Sequence, residues 1–131
     1  MRFSSTAASV ALVRHQVEKT LSKWDYVLDD IDRVVLVSSE LATNAVQHGH
    51  VPGHPFQVTL TSTHDACLIE VSDASPHTPV ARRATTEEEH GRGLPLVSAL
   101  AARVGHHTRK PTGKTVWAHI PRTSNAPAPT P

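Results

Sequence analysis

The fold is decided by residues 29–49, DDIDRVVLVSSELATNAVQHG, which form the strongest helical pattern in the chain. Its apolar residues recur at intervals of three and four, as on the buried face of an amphipathic helix. They are Ile31, Val34, Val35, Val37, Leu41, Ala42, Ala45 and Val46. The aspartates at the start suit an N-cap and first turn, and Gly49 suits the end. We therefore predict a helix over about 29–48.

Three polar residues stand four positions apart on this helix: Glu40, Asn44 and His48. Because a helix turns only about 40° past a full circle in four residues, they form one row at the margin of the apolar face. Polar groups placed there need partners or a cavity. A solvated row at the edge of a surface helix is the other interpretation, and spacing alone favours it.

The segments on either side predict the rest of the fold. Residues 6–23 have the period of a second amphipathic helix, and residues 56–60 and 67–71 alternate as two antiparallel strands around a turn near 63–65. A polar loop follows over 72–93. The pattern of residues 94–104 then predicts a third amphipathic helix that ends at Gly105, and the pattern of 115–120 predicts a closing strand. This order predicts an α+β two-layer sandwich, with helices on one face of a mostly antiparallel mixed sheet.

Composition limits the class of protein. The chain has 131 residues and a formal net charge of +1, which suits a single domain and gives no electrostatic support for binding nucleic acid or membranes. The only cysteine, Cys67, lies in an apolar stretch and suits a reducing cytoplasm. We expect one domain over 1–121 and a disordered Pro-rich tail over 122–131.

Two further motifs are candidates for chemistry. Asp73 ends a predicted strand, where it could hold the amino group of a substrate or simply form an ordinary turn. Gly91 and Gly93 lead into a helix start, where glycines and free backbone N–H groups can approach phosphate oxygens. A flexible hinge before a good helix start explains the same glycines, since the longer P-loop pattern is missing.

The order of these motifs resembles a known superfamily. Residues 39–49, SELATNAVQHG, are similar to the asparagine box of the GHKL (histidine-kinase-like) ATPases, 91–94 to the glycine box, and 113–117, GKTVW, to the closing strand. The pattern is most similar to the anti-sigma-factor serine/threonine kinases of the SpoIIAB and RsbW group and to small ATP-binding regulators of actinomycetes. The resemblance covers about 7–121 and implies a Bergerat-type ATP-binding fold.

The resemblance also implies roles for the matching positions. Glu40 would be the general base of a kinase, Asn44 would coordinate Mg²⁺, and Asp73 would accept a hydrogen bond from the adenine 6-amino group with support from Thr115. Residues 76–90 would form an ATP lid. The implied ATP-binding residues are Asn44, His48, Asp73, Ser75, Gly91, Arg92, Gly93, Leu94 and Thr115. One departure is that the superfamily pattern Asp-x-Gly-x-Gly is replaced by residues 73–77, DASPH, so that Ser75 and His77 stand where the superfamily has glycines.

Three functions compete at this point. The resemblance implies an ATP-dependent kinase that phosphorylates a STAS-type anti-sigma-factor antagonist and sequesters a sigma factor, in a group where dimerisation is common. The alternative is a nucleotide-binding switch that acts through protein contacts without catalysis. A third interpretation is a transition-metal site formed by some of the ten histidines, of which His48, His50 and His54 lie near one loop and His106 and His107 after the third helix. No cysteine accompanies them.

Overall fold

The computed structural model describes residues 1–76, 100–109 and 112–123. The described elements are β1 (Arg2–Phe3), α1 (Ala8–Lys23), α2 (Leu28–His48), β2 (Phe56–Ser62), β3 (Ala66–Asp73), β4 (Arg103–Thr108) and β5 (Lys114–Pro121). The strands form one sheet in the order β1-β2-β3-β5-β4, and every described pairing is antiparallel. Helix α2 packs against β2, β3 and β5, and α1 packs against α2. The predicted α+β two-layer sandwich is confirmed.

Helix α2 follows its sequence pattern closely. Its buried residues include Ile31, Val34, Val37 and Leu41, which lie on one face as the spacing requires. The expected aspartate N-cap is wrong, because Val27 occupies that position in an extended conformation and no side chain caps the helix. The first-turn aspartates still lie near the positive end of the helix dipole, where carboxylates are stabilised.

Asp30, in the first turn of α2, joins the helix to the end of the sheet. Its side chain is buried and accepts hydrogen bonds from the backbone N–H of Thr123 at 3.1 Å and from the Thr123 hydroxyl at 2.7 Å. Arg33 also contacts this carboxylate. Burial favours a raised pKa for Asp30, but the bonds from Thr123 and Arg33 outweigh burial and lower the pKa below its ordinary value of 3.8.

The β2–β3 hairpin confirms the alternation in the sequence. Val58 pairs with Val71, and Leu60 with Ile69, so that the apolar residues face the helices. Strand β5 pairs with β3 over its full length, with Val71 opposite Val116 and Ile69 opposite Ala118. The inner face of the sheet and the buried faces of the two helices form the core.

The C-terminal part of the predicted third helix is wrong, because Arg103–Thr108 is the edge strand β4. Leu100 has helical backbone, and residues 94–99 lie outside the described part of the chain. Val104 ends the helical pattern in the sequence but pairs with Ala118 across the sheet. Gly105 was expected to end the helix, but it lies opposite Trp117, whose indole occupies the space that a Cβ would take. Without β4, the edge of β5 would be exposed. Pairing with this edge stabilises a strand at Arg103–Thr108 more than the local apolar pattern stabilises a helix.

The chain also has an N-terminal strand that the sequence pattern did not predict. Strand β1 has only two residues and pairs with β2, and the rings of Phe3 and Phe56 stack with centroids 5.6 Å apart. Two residues are too few to show an alternation.

At the other end of the chain, Arg122 and Thr123 follow β5, and the Arg122 guanidinium lies 4.1 Å from the ring centroid of Tyr26. Residues 124–131 of the predicted tail lie outside the described residues. In the described ranges, no helix is long and apolar enough to cross a bilayer.

Candidate functional site

The polar row on α2 lies at the edge of its buried face. Glu40 and Asn44 are half-buried and His48 is exposed, while Leu41 and Ala45 beside them are buried. Within residues 1–76, 100–109 and 112–123, the side chains of Glu40 and Asn44 have no hydrogen-bond partner. Both groups are therefore available for a ligand.

Asp73 lies where the sheet meets the C-terminal end of α2. It is the last residue of β3, its side chain is 3% exposed, and it lies on the inner face of the sheet. Gly49, which follows α2, packs directly against its carboxylate, and a Cβ built at Gly49 would overlap the Asp73 side chain. Only a glycine allows this approach, so Gly49 brings the helix row and the strand-end carboxylate to the same end of the domain.

Lys114, the first residue of β5, forms a buried ion pair with Asp73. Its Nζ lies 2.9 Å from Asp73 Oδ2 and 3.0 Å from Oδ1, and its side chain is 6% exposed. The backbone N–H of Ser75 also donates to Asp73 Oδ1, at 2.9 Å. Sequence reasoning missed Lys114, although the alternation that places Val116 on the inner face places Lys114 there as well.

Thr115 lies on the opposite face of the sheet from this ion pair. It is opposite Ser72 in the register, and the two hydroxyl oxygens are 2.7 Å apart. Neighbouring strand residues point to opposite faces, so the side chain that reaches Asp73 from β5 is that of Lys114. Ser75 is buried, and its backbone helps to fix the Asp73 carboxylate.

Gly113 holds the turn before β5 against the backbone of Asp73. Its φ is +116°, and a Cβ there would lie 2.5 Å from the Asp73 carbonyl oxygen. The Gly113 carbonyl accepts a hydrogen bond from the backbone N–H of Arg109 at 2.9 Å. Glycines at positions 49 and 113 therefore pack on two sides of Asp73, and larger residues would displace it.

The comparison with known families decides what kind of domain carries this site. The family model of the histidine kinase-like ATPase domain matches residues 3–120. The chain belongs to this family. A similar solved structure is the histidine kinase domain of the Erythrobacter litoralis EL346 blue-light activated histidine kinase, with 28% identity and a TM-score of 0.49. The match covers 72% of this chain and 45% of that one. No curated protein matches significantly.

Membership implies that this histidine kinase-like ATPase domain binds ATP. Of the residues assigned to ATP from the sequence, the structure places Asp73 and Ser75 together at the sheet end and Asn44 and His48 on the last two turns of α2. The predicted glycine box, Gly91, Arg92, Gly93 and Leu94, lies outside the described residues. So does the predicted ATP lid from residue 77 onward.

The described part of the ATPase domain contains no group of three or more His, Cys, Asp or Glu residues that could hold a metal ion. His106 and His107 lie on β4 and not in a loop after a helix, and as neighbours in a strand they point to opposite faces. Cys67 is fully buried in the core, and its burial raises the pKa of the thiol to about 11. The thiol is therefore protonated near neutral pH and a poor ligand or nucleophile.

Proposed function

We propose that this ATPase domain is an ATP-dependent serine/threonine kinase of the anti-sigma-factor type. The observation that carries the proposal is the packing of Gly49 against the Asp73 carboxylate. This packing brings a buried hydrogen-bond acceptor next to the end of the helix that carries Asn44 and Glu40. One site then has an acceptor for a purine amino group, an oxygen ligand for a cation and a carboxylate base.

The residues of the site fit ATP with Mg²⁺. Asp73 is a buried carboxylate that is already fixed by Ser75 and Lys114, so it accepts a hydrogen bond from adenine without losing side-chain freedom. Asn44 presents an amide oxygen from a half-buried position on α2, and Mg²⁺ prefers such hard oxygen ligands. When bound, Mg²⁺ supplies positive charge at the phosphates.

Glu40 has the position that a general base needs in this scheme. It lies one turn before Asn44 on the same face of α2, so a carboxylate stands beside the residue proposed to hold the cation. Glu40 accepts the proton of a serine or threonine hydroxyl as that oxygen attacks the γ-phosphorus and ADP leaves. Phosphoryl transfer needs mainly positioning and charge stabilisation, and a carboxylate base completes the set.

The regulatory part of the proposal rests on the sequence resemblance. We propose that the phosphoryl acceptor is a STAS-type anti-sigma-factor antagonist, that the domain sequesters a sigma factor until the antagonist binds, and that it acts in the cytoplasm. The alternative is a nucleotide-binding switch without catalysis. Ser75 and His77, which replace the glycines of the superfamily after Asp73, favour that alternative.

Transfer of labelled γ-phosphate to STAS-type antagonists tests the kinase proposal. We expect Glu40→Gln to reduce transfer at least about 100-fold while leaving ATP binding intact, because a general base contributes roughly 10²–10⁴ in rate. Glu70→Gln is the matched control, since Glu70 is also half-buried but lies on the outer face of the sheet. Transfer by Glu40→Gln at the wild-type rate would refute Glu40 as the base. Nucleotide-dependent partner binding without any transfer by the wild type would support the switch.

A further inference from the structure

The Asp73–Lys114 ion pair has more hydrogen-bonding capacity than its described neighbours use. A carboxylate has about four acceptor positions and an ammonium group three donors. Oδ1 of Asp73 accepts from Lys114 and from Ser75, and Oδ2 accepts from Lys114. Within the described residues, this leaves one acceptor position on Oδ2 and one N–H of Lys114.

Both unused groups belong to side chains that are more than nine-tenths buried. An unsatisfied buried polar group is costly, and the cost is greater for charged groups. The acceptor of Asp73 and the donor of Lys114 belong to groups that lie 2.9 Å apart at the end of β3 and β5, next to Gly49. A ligand with a donor next to an acceptor would satisfy both without breaking the ion pair.

We propose that Lys114 is a second base-recognition residue, which donates a hydrogen bond to adenine N1 while Asp73 accepts one from the 6-amino group. This inference rests on the proposed ATP binding and deepens it. The Watson–Crick edge of adenine carries a donor, the 6-amino group, next to an acceptor, N1. Guanine carries an acceptor at position 6 and a donor at N1, so each of its groups would face a group of the same kind.

Lys114 has this role rather than Thr115 because of the sheet register. Lys114 lies opposite Asp73 on the inner face, whereas Thr115 is hydrogen-bonded to Ser72 on the outer face. The ion pair also keeps Lys114 in place before the nucleotide arrives, so little side-chain freedom is lost on binding. The pair therefore selects adenine and excludes guanine.

Calorimetric titration with ATP analogues tests this inference on the wild-type protein. We expect 1-deaza-ATP, which lacks the N1 acceptor, to bind at least about tenfold more weakly than ATP, since a hydrogen bond to a charged group is lost. The matched control is 7-deaza-ATP, which is altered on the other side of the base and should bind like ATP. GTP should bind at least about 100-fold more weakly than ATP, because guanine O6 would face the carboxylate of Asp73 and guanine N1–H would face the ammonium group of Lys114.

The variant Lys114→Met completes the test. It should bind ATP and 1-deaza-ATP equally, because the donor to N1 is gone, and circular dichroism checks that it folds. If it does not fold, the comparison of analogues on the wild type decides alone. Equal binding of ATP and 1-deaza-ATP by the wild type would overturn the role of Lys114, as would equal weakening by the 1-deaza and 7-deaza changes. A wild type that binds no ATP at all would instead refute the proposed function.

Discussion

Gly113→Ala should destabilise the domain more than Gly53→Ala, although both glycines have a positive φ, of +116° and +83°. A side chain in this region costs roughly 1–2 kcal/mol at either position. A Cβ at Gly53 meets nothing within 4 Å, whereas one at Gly113 lies 2.5 Å from the carbonyl oxygen of Asp73. That oxygen belongs to the backbone of a paired strand, so relieving the overlap should cost about 1–3 kcal/mol more.

Urea unfolding of the two variants and the wild type measures this difference. We expect a total loss of roughly 2–5 kcal/mol for Gly113→Ala and about 1–2 kcal/mol for Gly53→Ala, with unchanged m-values. Because the overlap is with Asp73, Gly113→Ala should also weaken ATP binding in the absence of urea, where the variant is folded. Equal unfolding midpoints for the two variants would refute the close packing of Gly113 on Asp73.

Three further predictions concern stability and reactivity. Asp30→Asn should lower stability near neutral pH by about 1–3 kcal/mol, because the bonds from Thr123 lose a charged acceptor. The pKa of Asp30 in the folded protein lies below its ordinary value of 3.8, so the wild type should lose this stability advantage over Asp30→Asn as the pH falls below 3.8. Parallel pH dependences of the unfolding free energy for the two proteins would contradict this prediction. Cys67, with its pKa raised to about 11, should react with iodoacetamide only on unfolding, and fast labelling of the native protein would argue against its burial. Val37→Ala should cost about 2 kcal/mol and the exposed control Leu36→Ala less than about 0.5 kcal/mol; equal costs by thermal unfolding would contradict the packing of α2.

Much of the fold could be predicted because local patterns and tertiary structure agree. Helix α2 has an apolar face of the correct period, and the β2–β3 hairpin alternates cleanly on both strands, so each segment buries the residues that its period selects. Strand β4 could not be predicted in the same way. Its burial alternates poorly, and its pairing with β5 depends on an edge that only the assembled sheet creates.

The local features of the candidate site could be predicted from the sequence, whereas the pairing between distant residues could not. Asp73 could be singled out as a carboxylate at a strand end, and Asn44 as part of a polar row, because both are local features. The pairing of Asp73 with Lys114 depends on the register of two strands that are 41 residues apart in sequence. The alternation of β5 places Lys114 and not Thr115 on the inner face, and the register of β3 and β5 then places Lys114 opposite Asp73.

The most direct test of the central claim is a calorimetric titration of ATP with Mg²⁺ into the wild type, Asn44→Ala and Gln47→Ala. Gln47 is the matched control because it also carries an amide on α2 but is exposed and lines the cleft between the two helices. We predict binding by the wild type and Gln47→Ala, and affinity at least about tenfold lower for Asn44→Ala, since the loss of an oxygen ligand to the cation removes a charge-assisted contact. A folded wild type that gives no binding heat, or an Asn44→Ala variant that binds with unchanged affinity, would contradict the proposed ATP site.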